Sequence, residues 1–434
     1  MDNWTLATLA ALILAYAAVS RRLAHSVLTA PIVFVAAGLL VGDKGLGWID
    51  VRESASSVRL LAEATLAFVL FADASRIDLH ALRREYTVPG RLLGIGLPLT
   101  IIAGALLALG LLRDLTVVEA CLVAIVLAPT DAALGQAVVT DPRLPSRIRQ
   151  GLNVESGLND GICVPLLLLG LAVAEAEENK VSVHTAVTLV VEELGYGIVA
   201  GVVAGLAGAL VVRYAFRAGL VTEHWLQAIP VATAGLAYGI ALPLGGSGFI
   251  AAFVAGLVFG IVRRSVGGEV GYFVDETGNL LAALTFVVFG AAILGPEFEH
   301  VTWAIAAYAV LSLTVARMVP VAIAMTGSRA RPPTVAYLGW FGPRGLASIV
   351  FAVTVLEGSR LDHIGTILTT AYATVGLSVL AHGLTARPLT NRYAAWYARE
   401  QRVPMESVPA GAQRWRVPTV TPTPLPTTEA DPRH

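Results

Sequence analysis

The chain has 434 residues, of which 56% are hydrophobic and only 14% are charged, and its formal net charge is −1. Soluble globular proteins carry about 25% charged residues. The composition therefore excludes a soluble enzyme or binding domain and indicates an all-α polytopic membrane protein. The apolar composition predicts a surrounding lipid bilayer. The net charge itself points to no partner, and we expect no bound nucleic acid.

Apolar segments long enough to cross a bilayer follow one another along most of the chain. A transmembrane helix needs about 20 apolar residues, with a range of roughly 17–25, so we expect about thirteen spans. The first, Trp4–Ser20, is expected to be retained, because its arginines follow the apolar run instead of preceding it as in a signal peptide. The approximate bounds of the spans are 4–20, 25–41, 58–74, 89–112, 116–139, 152–174, 186–212, 225–243, 247–262, 274–294, 301–325, 334–356 and 364–386.

The loops between these spans alternate in charge. Loops after odd-numbered spans are rich in arginine, as at Arg21, Arg22 and Arg213, whereas loops after even-numbered spans carry mostly acidic residues, as at Glu297 and Glu299. The positive-inside rule then predicts an extracellular N-terminus and a cytoplasmic C-terminus. We expect a plasma membrane, because the sequence shows no transit peptide.

Two segments follow the predicted transmembrane domain, residues 1–390. Residues 391–402 have tyrosine, tryptophan and arginine spaced as in a short interfacial helix. Residues 403–434 are rich in proline and threonine. Such a composition cannot bury a hydrophobic core, so a disordered cytoplasmic tail is predicted there.

Two spans are interrupted near their centres, span five by Pro129 and span twelve by Gly342-Pro343-Arg344-Gly345. Proline removes a backbone donor and breaks a helix, and lipid tolerates broken helices only where they face protein or a cavity. Spans four to six and eleven to thirteen form matching triplets that run in opposite directions. This is the inverted-repeat pattern of secondary transporters, which predicts a binding site where the interrupted helices cross.

Asp131 and Asp160 lie in the middle of long apolar segments. A carboxylate at the centre of a bilayer costs roughly 2.5–3.5 kcal/mol even on lenient scales, so such groups face a cavity or a partner and usually carry ions or protons. Arg344 falls at about the same depth in span twelve. We therefore expect these three charged residues to lie close together near the midplane.

Further oxygen-bearing side chains surround Asp160. Glu155 and Asn159 share one helical face, and Ser156 and Asp160 form the adjacent pair. Thr130 lies beside the break in span five. Hard cations prefer oxygen ligands, so this set predicts a cation site.

The remaining charges suggest how such a site would work. An unpaired guanidinium is untenable in the bilayer, so we expect Arg344 to pair with Glu155 and Asn159. Asp160 then remains the carboxylate most able to exchange a proton for a cation. Arg317, in span eleven, is expected to snorkel or to pair with backbone. Asp73 lies near the inner end of span three, either lining an inner funnel or as an ordinary interfacial carboxylate.

The motifs together resemble the first cation:proton antiporter family, in the sodium/proton exchanger branch that has an Asn-Asp pair. The resemblance covers about residues 1–390. It is carried by Ala128-Pro129-Thr130-Asp131, Glu155-Ser156-Gly157-Leu158-Asn159-Asp160-Gly161, Gly245–Gly256 and Gly342-Pro343-Arg344-Gly345.

The resemblance implies a fold of thirteen helices with two crossed discontinuous helices. It implies a core bundle at about 89–174 and 301–386 and a dimerisation region at about 1–60 and 186–294. It further implies a homodimer in which the core moves like an elevator, and no cofactor, with Na⁺ and H⁺ as substrates.

The resemblance also assigns roles to matching residues. Asp131 would act through water or by compensating backbone ends at the break, and Arg344 would hold Glu155 and Asn159. Asn159, in place of an aspartate, resembles electroneutral one-for-one exchangers. Asp73 matches an acidic residue late in the third span of relatives. The implied Na⁺ site consists of Asp160, Glu155, Ser156 and Thr130.

The expected activity is electroneutral exchange of Na⁺, with Li⁺ as a second ion, for H⁺. K⁺/H⁺ exchange on the same site is an open alternative, and a cation channel would differ by carrying large uncoupled currents. An intramembrane aspartyl protease using Asp131 and Asp160 would need the two aspartates to share a proton. The intramembrane Arg344 and the Asn159–Asp160 pair argue against that, so we expect no enzyme.

Overall fold

The computed structural model describes residues 3–23, 26–48, 55–77, 86–131, 134–179, 182–263, 271–358 and 361–400. Every regular element in these ranges is a helix, as the composition predicts. In chain order the helices are α1 Asn3–Leu23, α2 Ala30–Val41, α3 Ala55–Arg76, α4 Thr87–Leu111, α5 Val117–Val126, α6 Gln136–Val139, α7 Ser146–Asn179, α8 Val183–Arg217, α9 Glu223–Ala241, α10 Gly248–Arg263, α11 Tyr272–His300, α12 Trp303–Ala324, α13 Pro332–Trp340, α14 Leu346–Gly358 and α15 Ile364–Arg399.

Eight helices of the described part are long and apolar enough to cross a membrane, and the shorter α2, α5, α10 and α14 are also apolar. Helix α3 falls outside both groups, because it carries Arg59, Glu63, Asp73 and Arg76. The all-α polytopic membrane class is thus confirmed. The count of thirteen spans stays a prediction.

The separate interfacial helix predicted at 391–402 is wrong. Helix α15 continues without a break through Pro388 to Arg399. Its last turns pack on the protein, since the ring of Tyr393 stacks on that of Tyr337 in α13 with 4.4 Å between centroids. Tyr393, one of the aromatic residues that suggested contact with a membrane surface, therefore makes an intramolecular contact, and the membrane-surface contact of this segment stays a prediction. The predicted tail, residues 403–434, lies outside the described residues.

Helices α3, α8, α9, α10 and α11, here called the scaffold, pack through small residues. A Cβ atom on Gly256 or Gly260 of α10 would fall on the backbone of Phe71 or Ser75 in α3. Only glycine allows two backbones to approach this closely. The contact brings α3 close against α10.

The two interrupted spans cross in direct contact. Helix α5 ends at Val126 and helix α13 at Trp340, and each is followed by non-helical backbone. At the crossing, the backbone N–H of Asp131 donates to the carbonyl oxygen of Pro343, with 2.8 Å between nitrogen and oxygen. The crossed discontinuous helices predicted from Pro129 and Pro343 are therefore confirmed.

Candidate ion-binding site

Asp131 caps the helix that begins at the other break. Its Oδ2 accepts from the N–H of Leu346, the first residue of α14, at 2.8 Å, and its Oδ1 accepts from the N–H of Leu134 at 3.3 Å. A carboxylate at a helix N-terminus pairs orphan donors and opposes the helix dipole. Gly345 makes this contact possible, since a Cβ there would lie 2.7 Å from the Asp131 Cγ.

Arg344 makes the opposite connection. Its fully buried guanidinium donates from Nη1 to the carbonyls of Ala128 and Pro129, at 3.1 and 3.4 Å, just beyond the end of α5. The predicted pairing of Arg344 with Glu155 and Asn159 is wrong. The broken helix exposes unpaired carbonyls beside Arg344, and these accept from its Nη1.

Arg317 is the residue that pairs with Glu155. Its Nη1 lies 2.6 Å from Glu155 Oε1, and both side chains are only 2% exposed. The expectation that Arg317 snorkels or pairs with backbone is therefore wrong. The guanidinium lies over Gly342, where a Cβ would be 2.8 Å from the Arg317 Cζ. The space left by this glycine was the signal that sequence reasoning missed.

Three polar side chains connect the break after α5 with helix α7. Asn159 Nδ2 donates to Thr130 Oγ1 at 2.6 Å, and Thr130 Oγ1 lies 3.1 Å from Ser156 Oγ. All three side chains are buried. The Asn159 bond occupies one acceptor position of Thr130 and so orients its hydroxyl, and the paired hydroxyls offer oxygen ligands to a hard cation.

Asp160 faces the scaffold from the same helix. It is 6% exposed, and its Oδ1 has no hydrogen-bond partner among the described residues. Gly157 and Gly161 flank it along α7, and they pack against Asp73 of α3 and Phe253 of α10, respectively. Asp160 therefore lies where α7 meets the scaffold, within one turn of Ser156.

Asp73 belongs to a second charged group at the end of α3. Its Oδ1 lies 3.7 Å from Nη1 of Arg76, and Nη2 of Arg76 lies 2.5 Å from Oδ2 of Asp275. Asp73 also contacts Gly157, so this group reaches the helix that carries Asp160. Neither Arg76 nor Asp275 was singled out from the sequence.

Helix α15 supports the second break through two residues that sequence reasoning also missed. The N–H of Arg344 donates to Ser378 Oγ at 2.7 Å. His382 donates from Nε2 to the carbonyl of Trp340 at 2.9 Å, and its Nδ1 lies 3.2 Å from Ser378 Oγ. A histidine within the apolar run of span thirteen was the available signal.

Three carboxylates and two guanidiniums are buried around the crossing: Asp131, Glu155, Asp160, Arg317 and Arg344. Within the described part of the chain, each of these charges except that of Asp160 takes part in a hydrogen bond or an ion pair. One further positive charge would make the group neutral. Burying an unpaired carboxylate is costly, so the arrangement favours uptake of a proton or a monovalent cation at Asp160.

The chain is similar to known proteins over most of its length. The family described as sodium/hydrogen exchanger, transmembrane, matches residues 8–392. The Na(+)/H(+) antiporter NhaP of Pseudomonas aeruginosa is 30% identical over 356 residues, which are 76% of this chain and 80% of that relative.

Two other relatives are matched over a smaller part. The Na(+)/H(+) antiporter of Schizosaccharomyces pombe is 26% identical over 262 residues, 56% of this chain and 55% of the relative. The K(+)/H(+) antiporter NhaP2 of Shewanella sp. strain ANA-3 is 28% identical over 255 residues, 58% of this chain and 43% of the relative. The chain thus spans about half the length of these two relatives.

A solved structure has a similar fold. The sodium proton antiporter MjNhaP1 of Methanocaldococcus jannaschii at pH 8 superposes with a TM-score of 0.71 at 20% identity, over 90% of this chain and 98% of that chain. At this identity the likeness concerns the fold alone. The family match and the Pseudomonas relative carry the assignment of membership. This chain belongs to the sodium/hydrogen exchanger family and contains its transmembrane region.

Proposed function

We propose that this protein exchanges Na⁺ for H⁺ across a membrane by alternating access, with ion and proton competing for Asp160. Ser156 and Thr130 supply neutral oxygen ligands, and Glu155, held by Arg317 through Oε1, offers its second oxygen Oε2. Asn159 orients Thr130. The protein acts as a transporter and not as an enzyme, and it needs no cofactor.

The single observation that carries this proposal is the state of Asp160. The carboxylate is 6% exposed, and no residue in the described part of the chain forms a hydrogen bond with its Oδ1. An ionised carboxylate in such surroundings is unstable unless its charge is neutralised. A proton and a cation are two alternative ways to neutralise it, and alternation between them is the chemistry of an antiporter.

The buried charges support a one-for-one stoichiometry. Arg317 is paired with Glu155, and Arg344 and Asp131 each compensate a helix end. With two guanidiniums facing three carboxylates, one proton or one Na⁺ brings the group to neutrality. Exchange of one for the other leaves the net charge of the moving site unchanged, so transport is expected to be electroneutral.

The route to the site, the membrane and the assembly are part of the same proposal. Asp73 packs against Gly157 and lies near the C-terminal end of α3, which supports a cation route from that face. We assign that face to the cytoplasm by the positive-inside rule, in a plasma membrane with the N-terminus outside. A homodimer and an elevator movement of the core rest on the family resemblance.

The test is Na⁺-induced change of internal pH in proteoliposomes. Wild type and Asp160→Asn are compared with and without a clamped membrane potential. We expect Na⁺-dependent proton flux that voltage does not change and that Asp160→Asn abolishes. Flux that survives the substitution would move the ion site elsewhere, and absence of flux with Na⁺ and Li⁺ across pH 5–9 would refute Na⁺/H⁺ exchange.

A second candidate is K⁺/H⁺ exchange at the same site. It is favoured by the similarity to relatives named K(+)/H(+) antiporter NhaP2. The cluster of Asp160, Ser156 and Thr130 would serve either ion, because both prefer oxygen ligands. The same assay with K⁺ in place of Na⁺ separates the two, and proton flux driven only by K⁺ would establish the second candidate.

A further inference from the structure

Arg76 lies between two carboxylates in the last turn of α3. Its Nη2 is 2.5 Å from Asp275 Oδ2, whereas its Nη1 is 3.7 Å from Asp73 Oδ1. The shorter contact is a charge-assisted hydrogen bond, and the longer one exceeds hydrogen-bond distance. Of these two carboxylates, Asp275, which lies in the first turn of α11, holds the guanidinium more closely.

Asp73, which Arg76 contacts at the longer distance, is the carboxylate that packs against helix α7. A Cβ on Gly157 would lie 3.3 Å from the Cβ of Asp73. Gly157 precedes Asp160 by about one turn of α7. Gly256 and Gly260 hold the backbone of α3 against α10, so the scaffold presents Asp73 to α7.

All three side chains remain partly open to solvent. The exposed fractions are 21% for Asp73, 35% for Arg76 and 25% for Asp275. Glu276 and Arg263 are further charged residues that act on this group electrostatically. A cation that approaches the site from this face thus meets a half-buried group in which one guanidinium is shared unequally between two carboxylates.

We propose that Asp275 and Arg76 are positioning residues that set the affinity for the transported cation at this face. Asp275 holds the Arg76 guanidinium away from Asp73 and so leaves the Asp73 carboxylate able to attract a cation towards Asp160. Without Asp275, the other carboxylate in contact with Arg76 among the described residues is Asp73, three residues earlier on the same helix, and a closer Arg76–Asp73 pair would reduce the attraction for a cation. The inference rests on the cation/proton exchange proposed above.

The test compares the KM for Na⁺ of single and double variants in proteoliposomes. Asp275→Asn is expected to raise KM about two- to fivefold, the size of an effect from one half-exposed ion pair, with kcat nearly unchanged. Arg76→Gln is expected to lower KM by a similar factor. In the double variant Arg76→Gln/Asp275→Asn, KM should stay near that of Arg76→Gln, because no guanidinium remains to move.

The matched control is Glu276→Gln, which removes the same charge from an exposed residue next to Asp275. Its effect on KM measures the simple loss of negative potential. If Asp275→Asn raises KM equally with and without Arg76, or by no more than Glu276→Gln, the proposal is overturned. If wild type shows no cation-coupled proton flux at all, the proposed function fails instead, so the two failures are distinguishable.

Discussion

Asp131 and Arg344 each compensate a helix end at the break in which the other residue lies. Asp131, from the break after α5, accepts the first N–H of α14, and Arg344, from the break before α14, donates to carbonyls beyond α5. A negative charge thus meets a helix N-terminus and a positive charge meets a C-terminus, both favourable for the helix dipoles. The two breaks stabilise each other, and Asp160 lies beside them without having to take part.

The first prediction concerns this reciprocal capping. Asp131→Ala removes two hydrogen bonds to a charged group and should lower the free energy of unfolding by about 2 kcal/mol or more. Asp131→Asn keeps an oxygen acceptor and should cost less. Thermal unfolding of the purified protein measures both, with Arg344→Ala and the double variant completing a cycle. Strict additivity of the two alanine substitutions would contradict coupling through the crossing.

The second prediction concerns the buried pair of Glu155 and Arg317. Glu155→Leu leaves a buried guanidinium without its carboxylate and should destabilise the protein by about 3–5 kcal/mol. The double variant Glu155→Leu/Arg317→Met removes both charges and should recover most of that loss. The unfolding midpoints of the two variants measure the loss and its recovery. A double variant as unstable as the single one would show that the pair contributes more than charge neutralisation.

The third prediction concerns the close approach of Asp131 to Gly345. Gly345→Ala would place a Cβ on the Asp131 carboxylate, so the carboxylate must leave Leu346 or the break must widen. We expect most of the exchange activity to be lost. Gly239→Ala is the control, because a Cβ there meets nothing within 4 Å. Full activity in Gly345→Ala would mean that the crossing can shift without consequence.

The fourth prediction concerns the Thr130 hydroxyl. Thr130→Val keeps the shape of the side chain but leaves Asn159 Nδ2 and Ser156 Oγ without the partner they share, and it removes a cation ligand. We expect the KM for Na⁺ to rise about tenfold, in keeping with about 1–3 kcal/mol for buried polar groups left unpaired. Thr100→Val is the matched control, since Thr100 Oγ1 is buried and has no hydrogen-bond partner among the residues that the structure describes. Equal effects of the two substitutions on KM would remove Thr130 from the site.

The sequence by itself determined the membrane class, the two breaks and the identity of the carboxylates near them. These follow from local features. Long apolar runs predict membrane spans, proline predicts a broken helix, and a charge within an apolar run is costly enough to indicate a functional residue. The family resemblance drawn from the motifs agrees with the match to residues 8–392.

Only the tertiary structure decided which charges pair. Arg317 and Arg344 fall in neighbouring spans, and nothing local says which of them reaches Glu155. The choice depends on the space over Gly342, which admits the Arg317 guanidinium, and on the carbonyls beyond α5, which occupy Arg344. The contacts of Asp275 with Arg76 and of His382 with Trp340 likewise join residues far apart in the chain. Pairing of this kind is set by how helices pack, and it cannot be predicted from residue spacing along one helix.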